Sequence, residues 1–335
     1  MSETVSLSDV ADAAGVSIAT ASRALAGKPR VSRETALRVE AAAARLGYRV
    51  DPIARALREG TSRLVGMIVP VIGNPFYAQL VDAVEEELGL AGFELLLADS
   101  HGRLEEETRR LRVFGDRRVD GVVVVPAQHE GSADALRTLP DGLAVVQVDR
   151  FTDRAIADFV GVDNEVGLRL VLDHLLELGV RSVAFAGSDQ VTSSGVERWE
   201  MFHRLAEQRG MRTMPGFRRD FSIASGAAAA DAFLAAGELP DAIVAGDDLI
   251  AVGLIARLRE HGVGVPDRLL VTGFDGSELS TVCWPTLTTV VQPVQAIARD
   301  AVGVLVDRMR GATGPFRRNL VAPTLRLGAS TTPGG

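Results

Sequence analysis

From Leu64 onward, the chain alternates short apolar runs with longer amphipathic stretches. The run LVGMIVPV is followed by an amphipathic segment from Asn74 to about Ala91, and the alternation continues through FELLLAD, GVVVVPA and LAVVQVD. Short buried strands that alternate with helices are joined by right-handed crossovers and form parallel sheets. The pattern therefore predicts an α/β body built on parallel sheets.

The same pattern starts again after Asp163, with helices that precede the runs SVAFAG, Phe217–Phe221, AIVAG and LLVTGFD. This restart predicts two similar α/β units. A late strand, Leu287–Val291, and a late helix, Ala296–Arg310, are placed so that they can return to the first unit. The length of 335 residues accommodates about two domains and a small additional module.

The first 63 residues differ from the rest in charge and in pattern. They carry 10 Lys and Arg against 7 Asp and Glu, a net charge of +3, whereas the remainder carries 26 against 37, a net charge of −11. Three helices are expected here, over Ser8–Ala14, from Ser17 to about Ala26, and from Ser32 to Gly47. A small basic head on an acidic body suggests that the head has a polyanion as its partner.

The first two predicted helices form a helix-turn-helix, with Gly15 in the turn. The second helix exposes the small polar residues Ser17, Thr20 and Ser22 together with Arg23, and a helix of this kind fits the ~12 Å major groove of DNA. Two helices joined by a glycine turn also occur in proteins that do not bind DNA. The motif alone therefore leaves both interpretations open.

Other features exclude several classes of protein. No apolar run approaches the ~20 residues that span a bilayer, and the start MSETVSLSDV lacks a signal peptide, so we expect a cytoplasmic protein without a membrane partner. The single cysteine, Cys283, excludes an intramolecular disulfide. The five histidines show no metal-ligand spacing, and Walker, GxGxxG and GxSxG motifs are absent. We expect no metal, no cofactor and no enzymatic activity.

An ordered set of motifs resembles the lactose and galactose repressor (LacI/GalR) family. The head carries LSDVADAAGVSIATASRALAG, VSRETALRVEAAAARLGY and DPIARAL, and the body carries NPFYAQLVDAVE, VGVDNEVG, GDDLIAVG, VTGFDGSE and PTLTTVVQP. The resemblance, which runs from about Ser6 to Ala329, implies an all-α helix-turn-helix headpiece (1–49), a hinge helix (50–62) and a two-lobed α/β core (63–335). That core is similar to type I periplasmic binding proteins with parallel sheets. Its lobe 1 spans about 63–161 and 292–321, and its lobe 2 about 162–291 and 322–332.

The resemblance also implies which headpiece residues contact operator DNA. Ile18, Ala19 and Arg23 fall where the family reads bases in the major groove. Arg23 suits a guanine, because its guanidinium matches O6 and N7, and a phosphate contact is the alternative. The implied phosphate contacts, of which Ser17 and Ser32 also suit helix capping, are Ser6, Ser17, Thr20, Ser22, Ser32, Thr35 and Tyr48.

Residues 51–60 resemble the hinge helix of the family, which is too short to be stable alone. Leu57 matches a leucine that wedges into the minor groove at the centre of the operator, and ordinary packing is the alternative. Ala54 allows close contact between two hinge helices in a dimer, and Arg58 faces phosphate.

In the body, the resemblance implies an effector cleft between the lobes that is lined by Phe76, Asp149, Arg198, Phe221, Asp275 and Gln292. Carboxylates and an arginine at strand ends suit a polyhydroxylated ligand, and the alternative for Asp149 and Asp275 is a capping or lobe-bridging ion pair. Gly246 stands where relatives often have asparagine before Asp247, which predicts one polar contact fewer and a roomier pocket.

These features predict a repressor that binds a pseudo-palindromic operator as a homodimer. A small molecule in the cleft, a sugar or sugar derivative, would control its affinity for double-stranded DNA, and the lack of leucine heptads before Gly335 favours a dimer. A nucleoside- or purine-type corepressor is the alternative effector. A sugar-binding protein without DNA function and an enzyme on a doubly wound fold are the other classes considered.

Overall fold

The computed structural model describes residues 5–25, 31–48, 61–189 and 191–332. The chain divides into two compact units, Met1–Ser62 and Arg63–Gly335, which are described separately below.

Within residues 5–25 and 31–48, the first unit forms three helices: α1 (Leu7–Ala14), α2 (Ile18–Leu25) and α3 (Arg33–Leu46). They pack around a small apolar core in which Val10, Ala21 and Val39 have no exposed surface. This arrangement confirms the predicted helix-turn-helix, to within two residues at each helix end.

Local sequence fixes where these helices begin and end. Ser6 and Asp9 form a reciprocal capping box at the start of α1, and the hydroxyl of Ser32 accepts the N–H of Thr35 at the start of α3. Gly15 and Gly47 end α1 and α3 with φ values of 62° and 67°, in the left-handed region that glycine adopts without strain. The predicted hinge helix, with Ala54, Leu57 and Arg58, lies outside the described residues.

The second unit is built on two sheets. The strands of the first sheet are β1 (Leu64–Val69), β2 (Glu94–Asp99), β3 (Gly121–Val124), β4 (Ala144–Val148), β5 (Asp158–Val162) and β12 (Arg318–Val321). They lie in the order β12-β5-β4-β3-β1-β2, and all their pairings are parallel. The connecting helices are α4 (Pro75–Ala91), α5 (Leu104–Asp116) and α6 (Ser132–Leu136).

The second sheet repeats this plan. Its strands are β6 (Ser182–Ser188), β7 (Arg212–Thr213), β8 (Phe217–Arg219), β9 (Ala242–Ala245), β10 (Leu270–Asp275), β11 (Thr288–Val291) and β13 (Thr324–Arg326). The order is β13-β11-β10-β9-β6-β7, β8 also pairs with β6, and only β13 runs antiparallel to its neighbour among the described strands. The helices of this half are α7 (Asn164–Glu177), α8 (Ser193–Gln208), α9 (Ile223–Ala235), α10 (Asp248–Glu260) and α11 (Leu279–Val282).

The late elements divide between the two sheets, which we call lobe 1 and lobe 2 with their helices. Strand β11 pairs with β10 in lobe 2, so it does not return to the first unit, a possibility that its late place in the chain had left open. The last helix, α12 (Val294–Met309), does return and packs on β3, β4 and β5. Its apolar residues, which include Ile297 and Leu305, are buried among the strand residues of lobe 1.

Two helices of lobe 2 approach each other so closely that only glycine fits at their contact. A Cβ at Gly226 of α9 would overlap the carbonyl oxygen of Ile250 and lie 2.7 Å from the backbone nitrogen of Leu254. Gly253 of α10 meets the backbone of Ile223 in the same way. Because the opposing atoms are backbone, a side chain at either position forces the helices apart.

We therefore expect Gly226→Ala to lower the free energy of unfolding by about 1–3 kcal/mol, the usual cost of overpacking. Urea denaturation followed by circular dichroism measures this value. The matched control is Gly303→Ala in α12, where a Cβ meets no atom within 4 Å, and it should be neutral or stabilising by up to about 1 kcal/mol. Equal stability of the two variants would contradict the close helix contact.

Candidate functional site

Helix α2 presents an exposed face that includes an apolar side chain. Ile18 is 53% exposed, and Ala19 and Arg23 are exposed beside it, while Ala21 and Ala24 on the opposite face are buried. The structure thus brings the three predicted base-reading residues together on one surface of one helix. An isoleucine left open to solvent next to an arginine suits a surface that a partner covers.

Some of the predicted phosphate-contacting hydroxyls are already used in helix capping. Ser17 Oγ accepts the N–H of Thr20 at 3.2 Å and lies 2.9 Å from its hydroxyl oxygen. Ser32 Oγ has the same relation to Thr35, at 3.2 and 2.8 Å. A hydroxyl that caps a helix keeps further hydrogen-bonding capacity, so the capping role and a phosphate contact are compatible. Tyr48 and Ser22 are half-buried.

In the second unit, the predicted effector residues converge. Phe76, Asp149, Arg198, Phe221 and Asp275 line one cavity between the lobes. The sixth residue, Gln292, donates its Nε2 to Asp275 Oδ1 at 2.7 Å. The cavity itself is only about 10 Å³, roughly the room of one water molecule, so the cleft is closed around its own side chains.

Strand ends and helix starts position these side chains. Asp149 follows β4 and Asp275 ends β10, with φ values of 63° and 107°, a region that non-glycine residues rarely adopt. Such strain is concentrated at functional sites. Phe76 lies in the first turn of α4, where its N–H donates to the side chain of Asn74 at 2.9 Å.

Arg198 is the central cation of the cleft and is only 3% exposed. Its Nε donates to Asn164 Oδ1 at 2.9 Å, and one terminal nitrogen donates to the carbonyl of Gly246 at 2.7 Å and lies 3.6 Å from Asp275 Oδ1. The guanidinium carbon also lies 3.7 Å from the centre of the Phe274 ring. Hydrogen bonds, an ion pair and an aromatic face therefore all compensate this buried charge.

Sequence reasoning missed a second arginine in the cleft. The guanidinium carbon of Arg150 lies 5.7 Å from the centre of the Tyr77 ring and 5.4 Å from the centre of the Phe221 ring. Its Nε is 3.7 Å from Asp149 Oδ2, and Tyr77 donates its hydroxyl to the same oxygen at 3.1 Å. The available signal was the position of Arg150 directly after Asp149, at the same strand end.

Gly246 contributes to the cleft through its backbone, since its carbonyl accepts from Arg198 at 2.7 Å. A Cβ there would lie 3.1 Å from Gly187 Cα, so glycine allows the loop after β9 to approach β6. Asp247, the next residue, faces the cavity and supplies a carboxylate. The loss of one polar contact at Gly246 and the roomier pocket expected from it stay predictions.

Three buried polar atoms of the cleft have no hydrogen-bond partner among the described residues. They are Arg150 Nε, Asp247 Oδ2 and Gln292 Oε1. Arg150 Nε can only donate and Gln292 Oε1 can only accept, whereas Asp247 Oδ2 accepts when the carboxyl is ionised and can donate when it is protonated. Leaving such atoms unpaired in a protein interior costs free energy, and a ligand that offers both acceptors and donors satisfies them.

Burial changes the acid–base behaviour of the cleft. It raises the pKa of Asp247 to about 7, with a further contribution from the neighbouring carboxylate of Asp248, and it raises the pKa of Asp248 to about 6. Asp248 Oδ2 accepts from Ser277 N at 2.7 Å, which partly offsets its burial. The pKa of Asp275 is also raised by burial, against the opposing effect of Arg198.

The described residues contain no group of three or more His, Cys, Asp and Glu side chains placed to hold a metal ion. In the same part of the chain, no helix is both long and apolar enough to cross a membrane.

Comparisons with known proteins agree with both units. Residues 6–51 match the model of bacterial regulatory proteins of the lacI family, and residues 172–331 match a periplasmic binding protein-like domain. The ribose operon repressor of Halalkalibacterium halodurans is 30% identical over 98% of this chain and 97% of its own length. The repressor CytR of Escherichia coli is 28% identical over 91% of this chain and 90% of its own length.

Solved structures give the same result. The Lac repressor dimer bound to operator and the anti-inducer ONPF superposes with a TM-score of 0.89, at 24% identity, over 98% of this chain and 99% of that one. The regulator CelR in complex with cellobiose superposes with a TM-score of 0.72, at 29% identity, over 97% and 99%. The fold and site thus define a DNA-binding transcriptional regulator with a small-molecule effector domain. The chain belongs to the LacI family, which confirms the resemblance and the fold predicted from the sequence.

The raised pKa of Asp247 has a measurable consequence for stability. A carboxyl whose pKa is higher in the folded protein than in the unfolded chain stabilises the fold at low pH, and this contribution is lost as the pH rises through the folded pKa. Between pH 5 and pH 8, we expect the free energy of unfolding of the wild type to fall by about 2 kcal/mol relative to Asp247→Asn. Urea titrations at unit pH steps measure the difference.

The asparagine variant keeps an oxygen for the N–H of Ile250, which Asp247 accepts at 2.7 Å, so the start of α10 remains capped. Asp163→Asn is the matched control, because Asp163 likewise caps a helix, α7, outside the cavity. Parallel pH profiles for the wild type and Asp247→Asn would contradict the prediction.

Proposed function

We propose that this regulator is a repressor that binds a pseudo-palindromic operator as a homodimer, and that a sugar or sugar derivative in the cleft controls its affinity for DNA. The cleft carries the proposal, because it combines buried carboxylates and arginines with aromatic rings in the same chain as an exposed recognition helix. In this proposal residues 1–49 bind DNA, residues 50–62 form the hinge, and residues 63–335 bind the effector and the second subunit. The protein acts in the cytoplasm and not as an enzyme.

For the headpiece, we propose that Arg23 contacts a guanine and that Ile18 and Ala19 contact thymine methyl groups, since their side chains offer apolar contact only. The hydroxyls already named at the helix starts position the unit on phosphates. Leu57 is proposed as the minor-groove wedge, with Ala54 at the contact between hinge helices and Arg58 on phosphate. The roles of Leu57, Ala54 and Arg58 are proposed from the sequence resemblance alone.

The chemistry of the cleft favours a neutral polyhydroxylated effector. Each hydroxyl both donates and accepts, so one ligand can pair with Arg150 Nε, Asp247 Oδ2 and Gln292 Oε1. The rings of Phe76 and Phe221 offer apolar faces for a sugar ring. Two arginines lie near the carboxylates of Asp149, Asp247 and Asp275, so the cleft has no large net charge that would select an ionic ligand. A nucleoside is the second candidate, because the repressors CytR and PurR are among the relatives.

Fluorescence anisotropy of the purified protein on labelled DNA from upstream of its own gene tests the function. We expect specific binding that falls steeply with salt, and that one compound from a panel of sugars and nucleosides weakens or strengthens. Arg23→Ala should bind about 10- to 100-fold more weakly, the value of a bidentate base contact, and should lose sequence preference.

Arg45→Ala, which removes one exposed positive charge from α3, is the control for a general loss of charge. Normal operator binding by Arg23→Ala would remove the base-reading assignment. Binding that is specific but unaffected by every compound in the panel would count against control by a sugar or a nucleoside.

The proposed dimer has a candidate surface in lobe 2. Val282 and Trp284 are 76% and 71% exposed, and Trp284 borders a groove of about 600 Å³ whose floor is apolar and belongs to α10. Arg259 and Glu260 lie at the rim. Opposite charges next to each other are self-complementary across a two-fold axis, which favours a second copy of this chain as the occupant.

We expect Trp284→Glu to weaken the dimer at least about 100-fold, since aromatic anchors dominate interface energetics. Sedimentation equilibrium measures the dissociation constant, and thermal melts check that the subunit still folds. The control is Leu178→Glu, at an exposed leucine in the same lobe. A wild-type dissociation constant for Trp284→Glu would exclude this surface as the dimer contact.

A further inference from the structure

The start of α8 contacts the cleft and lobe 1 at the same time. Ser194 and Arg198 line the cavity. Ser193 Oγ accepts the backbone N–H of Phe151 at 2.9 Å, and the carbonyl of Val191, just before α8, accepts the N–H of His129 at 2.7 Å. Since His129 and Phe151 follow β3 and β4, these two bonds join lobe 2 to lobe 1. They exist only while the lobes are closed as observed.

A chain of side-chain hydrogen bonds leads from the cleft to the far edge of lobe 1. Arg198 Nε donates to Asn164 Oδ1 at 2.9 Å, and Asn164 Nδ2 donates to Glu197 Oε2 at 2.8 Å. The other oxygen of Glu197 accepts from a terminal nitrogen of Arg318 at 2.6 Å. Three bonds in series therefore connect the central cation of the cleft to β12.

Arg318 is well anchored in lobe 1. Its guanidinium lies 4.1 Å from the ring centre of Phe151 and 5.4 Å from that of Phe159, which is a residue of β5. Phe151 is also the residue whose N–H reaches Ser193. Phe151 therefore takes part both in the series of side-chain contacts, through Arg318, and in the hydrogen bond from its backbone to lobe 2.

We propose that Glu197 is a positioning residue that ties Arg198 to lobe 1, so that a change at the guanidinium in the cleft alters the stability of lobe closure. The proposal rests on the proposed function in one respect, namely that the effector engages Arg198. Glu197 itself does not line the cavity. A ligand shifts an equilibrium between lobe arrangements only through contacts that differ between them, and this bond series provides such a difference.

The alternative is that the pair of Glu197 and Arg318 is an ordinary surface ion pair. The side chain of Arg318 is 48% exposed, and exposed pairs often contribute little. The two interpretations differ in what happens at His129 and Phe151, whose amide hydrogens report on closure and neither of which bonds to Glu197.

Native-state hydrogen exchange at single-amide resolution, on the full-length protein without effector or DNA, separates them. We expect Glu197→Ala to speed exchange at both His129 and Phe151 by about fivefold, because a less stable closed arrangement opens more often. Amides inside the first sheet, such as that of Val146, should keep their rates. Glu197→Gln has one accepting oxygen for the two hydrogen bonds that Glu197 accepts, so it breaks the series at one of them and should also lose protection at both amides.

Asn164→Ala breaks the same series at a different bond. It should give a similar effect, and the double variant with Glu197→Ala should exchange no faster than the faster single variant. The control Glu165→Gln weakens a pair with Arg204 that joins α7 to α8 within lobe 2, and it should leave both amides unchanged.

Unchanged exchange in Glu197→Ala, or an additive effect of the two alanine variants, would overturn the proposal. Because the measurement uses neither DNA nor ligand, its failure is distinguishable from a failure of operator binding or of effector control in the anisotropy experiment.

Discussion

The charge of Arg198 is buried, and the arrangement around it follows from that constraint. A guanidinium in a protein interior is stable only if its donors are paired and its charge is compensated. Here the compensation comes from Asn164 at the start of α7, the carbonyl of Gly246 after β9, and Asp275 at the end of β10. One side chain therefore connects three elements of lobe 2, and through Asn164 and Glu197 it is also connected to lobe 1.

Parallel strands explain why these groups meet at all. In a parallel sheet all the carboxyl ends lie at one edge, and the loops that leave this edge carry side chains that no strand pairing constrains. Asp149 leaves the edge of the first sheet and Asp275 that of the second. Because the chain crosses between the sheets after β5, after β11 and after β12, the two edges face one another across a cleft instead of separating.

The sequence predicts most of this architecture because it depends on local patterns. Alternating apolar runs predict the strands, and Asp149 and Asp275 are recognisable as polar residues that end them. The pairing of β11 was not predictable in this way, since a strand of four apolar and hydroxyl residues suits either sheet. That Asp247 faces the cavity depends on the direction in which one loop turns, which strand periodicity does not encode. Arg150 was missed because an arginine beside an aspartate suggests an ordinary ion pair. The sequence does not show that the rings of Tyr77 and Phe221 lie near its guanidinium.

In the closed cleft, a ligand and the contacts between the lobes would use the same side chains. The guanidinium of Arg150 lies near the rings of both Tyr77 and Phe221, so a ring-shaped ligand that stacks on either ring would compete with it for the aromatic face. The loss is limited, because the Nε of Arg150 and Oδ2 of Asp247 are unpaired in the closed form and would gain partners from a ligand that offers both acceptors and donors. Ligand contacts and lobe contacts thus compete for the same side chains. Such competition would supply the differential affinity that allosteric control of DNA binding requires, because a ligand that left every lobe contact intact would shift no equilibrium.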